Sequence, residues 1–404
     1  MNNQKRILDF FALTPIMFGL LAMVIFIGLG EKMAERFLPI YLIALGGGSI
    51  IIGLLNGLDN LLSALYSLLG GFLSDRIGAK RSLLIFNLLS LAGFLIVALI
   101  PSWIAVIAGA ILFLSWTAIS LPATMSLIAS SFPKEKRTMA TTMHSMVRRI
   151  PMALGPVIGG ILIGHFGERG GVRLAFGISA LLAVAAIAIQ QRLIKETHSD
   201  SKKKSISPLK VWSSMRKELK ILLASDILVR FCEQIPYAFV VVWAMKSIAE
   251  PITALQFGLL TAIEMVTAML IYIPIGYLAD KGKKKPFVVI TFFNFTLFPL
   301  ILLYSLSLEC LVVAFIVRGL KEFGEPTRKS LILDFSRKEY SASTFGLYYL
   351  IRDVIVSIAA FGGAFLWEIS PSVNFVTAIF FGLAGTLLYL LKGSDSFRKA
   401  TENN

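Results

Sequence analysis

This sequence predicts an all-α membrane protein, with twelve transmembrane helices in two pseudo-symmetric six-helix halves. Three observations carry that expectation. The 404 residues are 56% hydrophobic and only 16% charged, with a mean hydropathy of +0.78, too little polar surface to coat a water-soluble globule. Long apolar runs recur, among them Ser82–Ile100, Ala105–Ile119, Leu174–Ile189, Phe287–Leu306 and Val373–Leu391, each near the roughly 20 residues that cross hydrocarbon as a helix. The chain also repeats itself. Gly71-Phe72-Leu73-Ser74-Asp75-Arg76-Ile77-Gly78-Ala79-Lys80-Arg81 returns as Gly276-Tyr277-Leu278-Ala279-Asp280-Lys281-Gly282-Lys283-Lys284-Lys285, and duplicated membrane halves around a midplane site are the architecture of secondary transporters.

Taken in order, the spans fall near 14–43, 49–73, 80–100, 103–131, 139–164 and 173–192, then 220–245, 253–279, 285–307, 309–333, 342–367 and 373–392. The first follows Lys5 and Arg6 but is too long for a signal peptide and lacks a small-residue cleavage site, so it is read as an uncleaved span. Residues 1–192 form an N-terminal six-helix bundle, 193–219 a cytoplasmic linker, and 220–404 a C-terminal six-helix bundle with a short cytoplasmic tail. Lys202-Lys203-Lys204 sits in the Ser/Lys-rich part of that linker, a solvated composition.

Basic residues gather at the N-terminus, at Arg76–Arg81, Lys134–Arg137, 192–220, Lys281–Lys285, Arg337–Lys338 and Lys392–Lys399; the alternate loops hold only Lys246, Arg169 and Arg173. This asymmetry puts both termini in the cytoplasm of a multi-pass protein of the inner (plasma) membrane. It also accounts for the net charge of +15 through attraction to an anionic leaflet, without a nucleic-acid partner. Cys232 and Cys310 both lie in spans and read as small core residues, not as a disulfide.

The duplication survives arithmetic. Adding 204 to Pro122, Ser126, Leu127, Ile128 and Arg148 lands on Pro326, Ser330, Leu331, Ile332 and Arg352; adding 205 to Gly53, Leu54, Asp59, Gly71 and Asp75 lands on Gly258, Leu259, Glu264, Gly276 and Asp280. Counting helical rise places Asp59 and Arg352 roughly 16–18 Å from the cytoplasmic end, with Glu264 and Arg148 in the corresponding layer.

Each charge at a helix centre costs roughly 2.5–3.5 kcal/mol on insertion scales, yet the spans hold many. Glu31, Lys32, Glu35 and Arg36 lie in span 1; Arg148 and Arg149 in span 5; Arg230 and Glu233 in span 7; Arg318, Lys321, Glu322 and Glu325 in span 10. In span 10 the intervals of four, three and four put Arg318, Glu322, Glu325 and Lys329 on one helix face, with Gly324 and Pro326 able to loosen the backbone beside it. Arg328 and Lys329 are expected to approach the cytoplasmic headgroups. Glu31, Glu35, Arg230, Glu233, Arg318, Glu322 and Glu325 are the candidate substrate and proton cavity. His144, one turn before Arg148, is read first as a structural histidine.

Soluble-enzyme signals fail. The only phosphate-loop lookalike, Gly276 to Gly282-Lys283, has one residue too many and ends in Lys284 where Ser or Thr is needed. His144, His165 and His198 have no zinc spacing. No catalytic residue, metal or cofactor is expected.

Gly71-x-x-x-Asp75-Arg76-x-Gly78-x-Lys80-Arg81 resembles the signature loop of the major facilitator superfamily, and Asp280 heads a degraded second copy. Leu38-Pro39-x-Tyr41 and Phe132-Pro133-x-x-x-Arg137 agree with the resemblance, and Gly155-Pro156-x-x-Gly159-Gly160 is similar to the antiporter motif of proton-linked drug exporters, with Thr142 and Pro151 where that motif has glycines. The resemblance covers nearly the whole chain and leaves the subfamily open. It implies alternating access, a conformational latch at Gly71, Asp75, Arg76, Gly78, Arg81 and Asp280, and pore-lining roles for spans 1 and 7. It also implies packing of span 2 on span 11 and of span 5 on span 8, hence inter-half ion pairs Asp59–Arg352 and Glu264–Arg148.

The resulting expectation is a secondary transporter of a small organic solute, coupled to protons with sodium as the alternative ion, working as a monomer in the bilayer, with export by antiport leading. A proton-coupled importer of a small organic anion stands second. A membrane receptor or scaffold that kept the fold stands third, since a scaffold has little reason to keep so many costly buried charges.

Overall fold

The computed structural model describes residues 14–114, 116–131, 143–194, 208–281, 283–336 and 341–395. Among them nine helices are long and apolar enough to cross a membrane. One of these, Met143–Leu193, holds two spans, because Gly167 at φ 72° breaks the helical path. Span 7 is the bent pair Lys217–Tyr237 and Val240–Ser247, with a 42° turn between them. Span 10 is the broken helix Leu308–Gly319, Leu320–Glu322 and Glu325–Asp334. With these the described chain follows the twelve-span expectation, and large exposed side chains such as Leu181, Leu270 and Phe380 face what must be hydrocarbon.

Each departure from the expected boundaries has a local cause. The loop expected at 165–172 between spans 5 and 6 shrinks to a turn at Gly167, whose positive φ suits glycine. Gly171 then lies against the Ile163 backbone, so close that a Cβ would come 2.5 Å from the Ile163 Cα. In span 10 the helix tightens to a 3₁₀ turn before Gly324, whose N–H donates to Thr291 Oγ1 at 2.5 Å. Span 2 ends at Gly78, φ 90°, which also starts span 3.

The chain divides into two compact units. The first comprises Met1–Lys203 together with Val241–Ser247 and Pro251–Ala262; the second comprises Lys204–Val240, Ile248–Glu250 and Ile263–Asn404. The first unit has a ring cluster of Phe94, Phe113 and Phe176 at its core. Buried amides tie three of its helices together: Asn87 Nδ2 donates to Gln190 Oε1 at 2.7 Å, Trp116 Nε1 donates to Asn87 Oδ1 at 2.8 Å, and Gln190 Nε2 donates to the Lys80 carbonyl. Arg169 and Arg173 donate to the carbonyls of Ala44 and Ala98, cations placed at helix C-terminal ends. The second unit is cored by Leu222, Phe292, Leu331, Ile332, Tyr348 and Tyr389. Cys232 is buried as expected, whereas Cys310, near the start of span 10, is exposed.

Candidate functional site

In the first unit the charges sit on one turn of span 1. Lys32 reaches back to Glu31 at 3.1 Å and forward to Glu35, so one ammonium serves two carboxylates. Glu31 is 1% exposed, and its second oxygen, Oε2, has no hydrogen-bond partner among the described residues. Asp59 of span 2 lies within the electrostatic reach of Glu35, Lys32 and Arg36.

The glycines of the antiporter-like motif explain how this turn is placed. A Cβ on Gly155 would come 2.7 Å from the Lys32 Cβ and 2.8 Å from its carbonyl carbon, and a Cβ on Gly159 would run into the Met33 carbonyl. Gly160 faces the backbone of Ala254 and Leu255, and Gly258 that of Pro156 and Val157. Span 5 thus shows one glycine face to the charged turn of span 1 and a second to the start of span 8. Only residues without a side chain let backbones approach so closely.

The second unit carries a connected ion-pair network over spans 7, 8, 10 and 11. Glu264 meets Arg318 and Lys321, both at 3.2 Å; Lys321 also meets Glu233 at 2.9 Å; Glu233 meets Arg230 at 2.5 Å. Arg230 continues to Asp226 and Glu325, both at 3.8 Å. Asp226 holds Arg328, accepts from the Tyr348 hydroxyl at 3.0 Å, and lies 3.5 Å from Arg352, which pairs with Asp353 at 2.7 Å. Glu325 binds Arg328 at 2.5 Å and Lys329 at 3.3 Å. Arg318 is also flanked by the rings of Phe298, Tyr237 and Phe315, 4.7, 5.3 and 5.7 Å from its guanidinium carbon, a setting for cation–π attraction. A cavity of about 10 Å³, room for about one water, is lined by Glu233, Asn294, Phe295, Phe298, Arg318 and Lys321.

Among the expected cavity residues, the structure brings Arg230, Glu233, Arg318 and Glu325 into this network and leaves Glu31 and Glu35 in the first unit; Glu322 lies in the 3₁₀ turn. The expected continuous charged face of span 10 is not one face, because the turn resets the helical register between Arg318 and Glu325. The headgroup role expected for Arg328 is corrected: Arg328 is 1% exposed and paired with Asp226 and Glu325. Lys329, nearly half exposed, fits that role. Glu264 and Arg352 have partners inside the second unit, and the inter-half pairs Asp59–Arg352 and Glu264–Arg148 remain an expectation.

Two residues escaped sequence reasoning. Asp226, fully buried, is the hub of the network; its signal was the run Asp226, Arg230, Glu233 at intervals of four and three in an apolar span. Gly70 is the tight position beside the expected latch, since a Cβ there would collide with the Ile119 carbonyl, whereas a Cβ on Gly71 meets only Pro122 at 3.8 Å. Gly78 closes the helix there, and the side chains of Asp75 and Asp280 lie outside the described residues, as does Phe132-Pro133-x-x-x-Arg137.

The family model described as Major Facilitator Superfamily matches residues 20–246 and again 227–403. An uncharacterised MFS-type transporter of Methanocaldococcus jannaschii is 23% identical over 381 residues, 90% of each chain. The methylenomycin A resistance protein of Streptomyces coelicolor is 31% identical over 150 residues, 36% of this chain and 30% of that protein. Among solved structures, a mutant of the nucleoside transporter NupG superposes with a TM-score of 0.78 at 13% identity, over 93% of this chain and 98% of that one; this likeness is of fold.

Proposed function

We propose that this chain, which belongs to the Major Facilitator Superfamily and is a non-enzymatic membrane transporter, exports a small organic or amphipathic solute in exchange for protons by alternating access. The observation that carries this reading is Glu31: a buried carboxylate with one oxygen unpartnered, sharing its single ammonium with Glu35, on the turn that Gly155 and Gly159 grip. Such a carboxylate gains least from staying ionised and is the group most readily protonated within a cycle. The similarity to a drug-resistance protein supports export. Both termini are taken as cytoplasmic, and the unit of transport as a monomer.

The test is transport in proteoliposomes under imposed pH or sodium gradients, screened against metabolites and drugs. Glu31→Gln should still exchange substrate across the membrane yet fail to accumulate it against a gradient. If Gln variants of Glu31, Glu35, Glu322 and Glu325 all retain gradient-driven transport, coupling lies elsewhere, with His144, Asp59 and Glu264 next.

A second reading, import of a small organic anion, is favoured by Arg318 in its ring of Tyr237, Phe298 and Phe315 beside Lys321. It predicts carboxylate binding that collapses in Arg318→Gln and ignores lipophilic cations. In either direction, Asp59–Arg352 and Glu264–Arg148 would act as gate pairs between the halves. Double-mutant cycles should then return coupling of about 0.5–3 kcal/mol, and additive losses in both cycles would mean the residues never meet.

A further inference from the structure

Outside the charged network, the second unit holds a groove of about 720 Å³ where the start of span 7 meets the end of span 12. Lys217, Lys220 and Lys392 line it with one acid, Glu218, while Ile221, Ala224 and Leu388 form an apolar wall. Three cations against one carboxylate leave it electropositive. The short helix Pro208–Ser214 lies alongside: Val211 is buried in the unit's core, Leu209 is 80% exposed, and the Trp212 ring lies 4.8 Å under the Lys220 ammonium. At the start of span 7, Arg216 occupies the cap position and makes no side-chain hydrogen bond to it, so no capping side chain competes for the first-turn N–H groups.

We propose that this groove binds an anionic phospholipid of the cytoplasmic leaflet, its phosphate held by Lys217, Lys220 and Lys392 and its upper acyl chain laid on Ile221, Ala224 and Leu388. A site with a cationic mouth, an apolar wall and an exposed tryptophan at the basic end of the spans is built for a molecule that is anionic at one end and hydrocarbon at the other. The chain's own flanking segments do not fit that charge. The linker carries Lys202, Lys203 and Lys204, which the groove would repel, and the tail sets Arg398 and Lys399 against Asp395 and Glu402 and so offers no net negative charge. The inference goes beyond the transport reading and stands whichever way solute moves, because it is read by binding alone.

Native mass spectrometry of the full-length protein, released from detergent with equimolar phosphatidylglycerol and phosphatidylcholine, tests it. The wild type should retain phosphatidylglycerol at least tenfold better than phosphatidylcholine. The variant K217Q/K220Q/K392Q should lose that preference, and K202Q/K203Q/K204Q, which removes equal charge from the linker, should keep it. Leu388→Gln should weaken lipid retention with the lysines intact, and neither inorganic phosphate nor glycerol phosphate should displace the lipid, since each lacks the acyl chain. Equal losses in the two triple variants, no preference in the wild type, or displacement by free phosphate would overturn the proposal. A thermal melt with and without phosphatidylglycerol covers the case in which the groove variant is poorly folded: lipid should raise the melting temperature of Leu388→Gln less than that of the wild type, and an equal rise would count against the site.

Discussion

In the second unit Asp226 is held by three guanidiniums and a tyrosine hydroxyl drawn from spans 7, 10 and 11. In the first, Glu31 and Glu35 share the ammonium of Lys32 between them on the same helix. Both arrangements bury charge, but Asp226 draws partners from spans 10 and 11 as well as Arg230 of its own span, whereas Lys32 meets Glu31 and Glu35 within one turn of span 1. Neutralising a member of a cross-helix network unlocks helices as well as charge, and leaves neighbouring buried cations one counter-ion short. Neutralising a carboxylate in the local cluster removes a desolvation cost and leaves helix packing to the glycines of span 5. The network is therefore suited to holding spans 7, 8, 10 and 11 in register, and the local cluster to the protonation change that the proposed exchange requires.

The sharpest way to break this comparison is Asp226→Asn. It leaves Arg328, Arg352 and Arg230 around a neutral amide, and should cost about 3–5 kcal/mol, read as a large fall in melting temperature or in folded yield. Glu35→Gln in the first unit should cost far less. If the two variants melt together, the distinction between locked and labile charge is wrong. Asp226→Leu combined with Arg328→Leu should regain part of the loss, because it removes both charges of the closest pair.

Next in size comes the glycine face that seats the charged turn. Gly159→Ala forces a methyl into the Met33 carbonyl and should cost about 1–3 kcal/mol by overpacking. Gly164→Ala, five residues on, meets nothing within 4 Å and should be neutral or stabilise by up to about 1 kcal/mol, as alanine does over glycine in a helix. Equal effects at the two positions would mean that span 1 is not gripped where the structure places it.

The spans, the repeat and most of the buried charges were legible because hydrophobic length and the cost of intramembrane charge act locally on sequence. Which charge meets which was not. Arg328 looked like a headgroup anchor because it lies only six residues before Asp334, the last residue of its helix, while its partner Asp226 is 102 positions away. Arg318 and Glu325 looked like one face because helical counting assumes an unbroken helix, and the 3₁₀ turn at Leu320–Glu322 breaks it. Gly70 lost to Gly71 for a similar reason: motif spacing names a residue, but the approach of Ile119 selects which of two adjacent glycines carries the contact.

The smallest expected effect compares the two copies of the signature loop. The first copy is complete, from Gly71 to Arg81, and its frame is braced by the glycine turn at Gly78 and by Gln190, which donates to the Lys80 carbonyl at 2.8 Å. The second, headed by Asp280, is a residue short. If the loop sets the balance of conformations, Asp75→Asn should slow turnover about tenfold, about 1.4 kcal/mol on the limiting barrier, with melting temperature and substrate binding nearly unchanged. Asp280→Asn should do less. A Cβ on Gly71 meets only Pro122, at 3.8 Å, and Gly71→Leu should behave like Asp75→Asn, whereas Gly70→Leu should lower stability because it drives into the Ile119 backbone. That split between neighbouring glycines separates a kinetic latch from a packing contact, and a larger turnover defect at Asp280 than at Asp75 would reverse the ranking of the two halves.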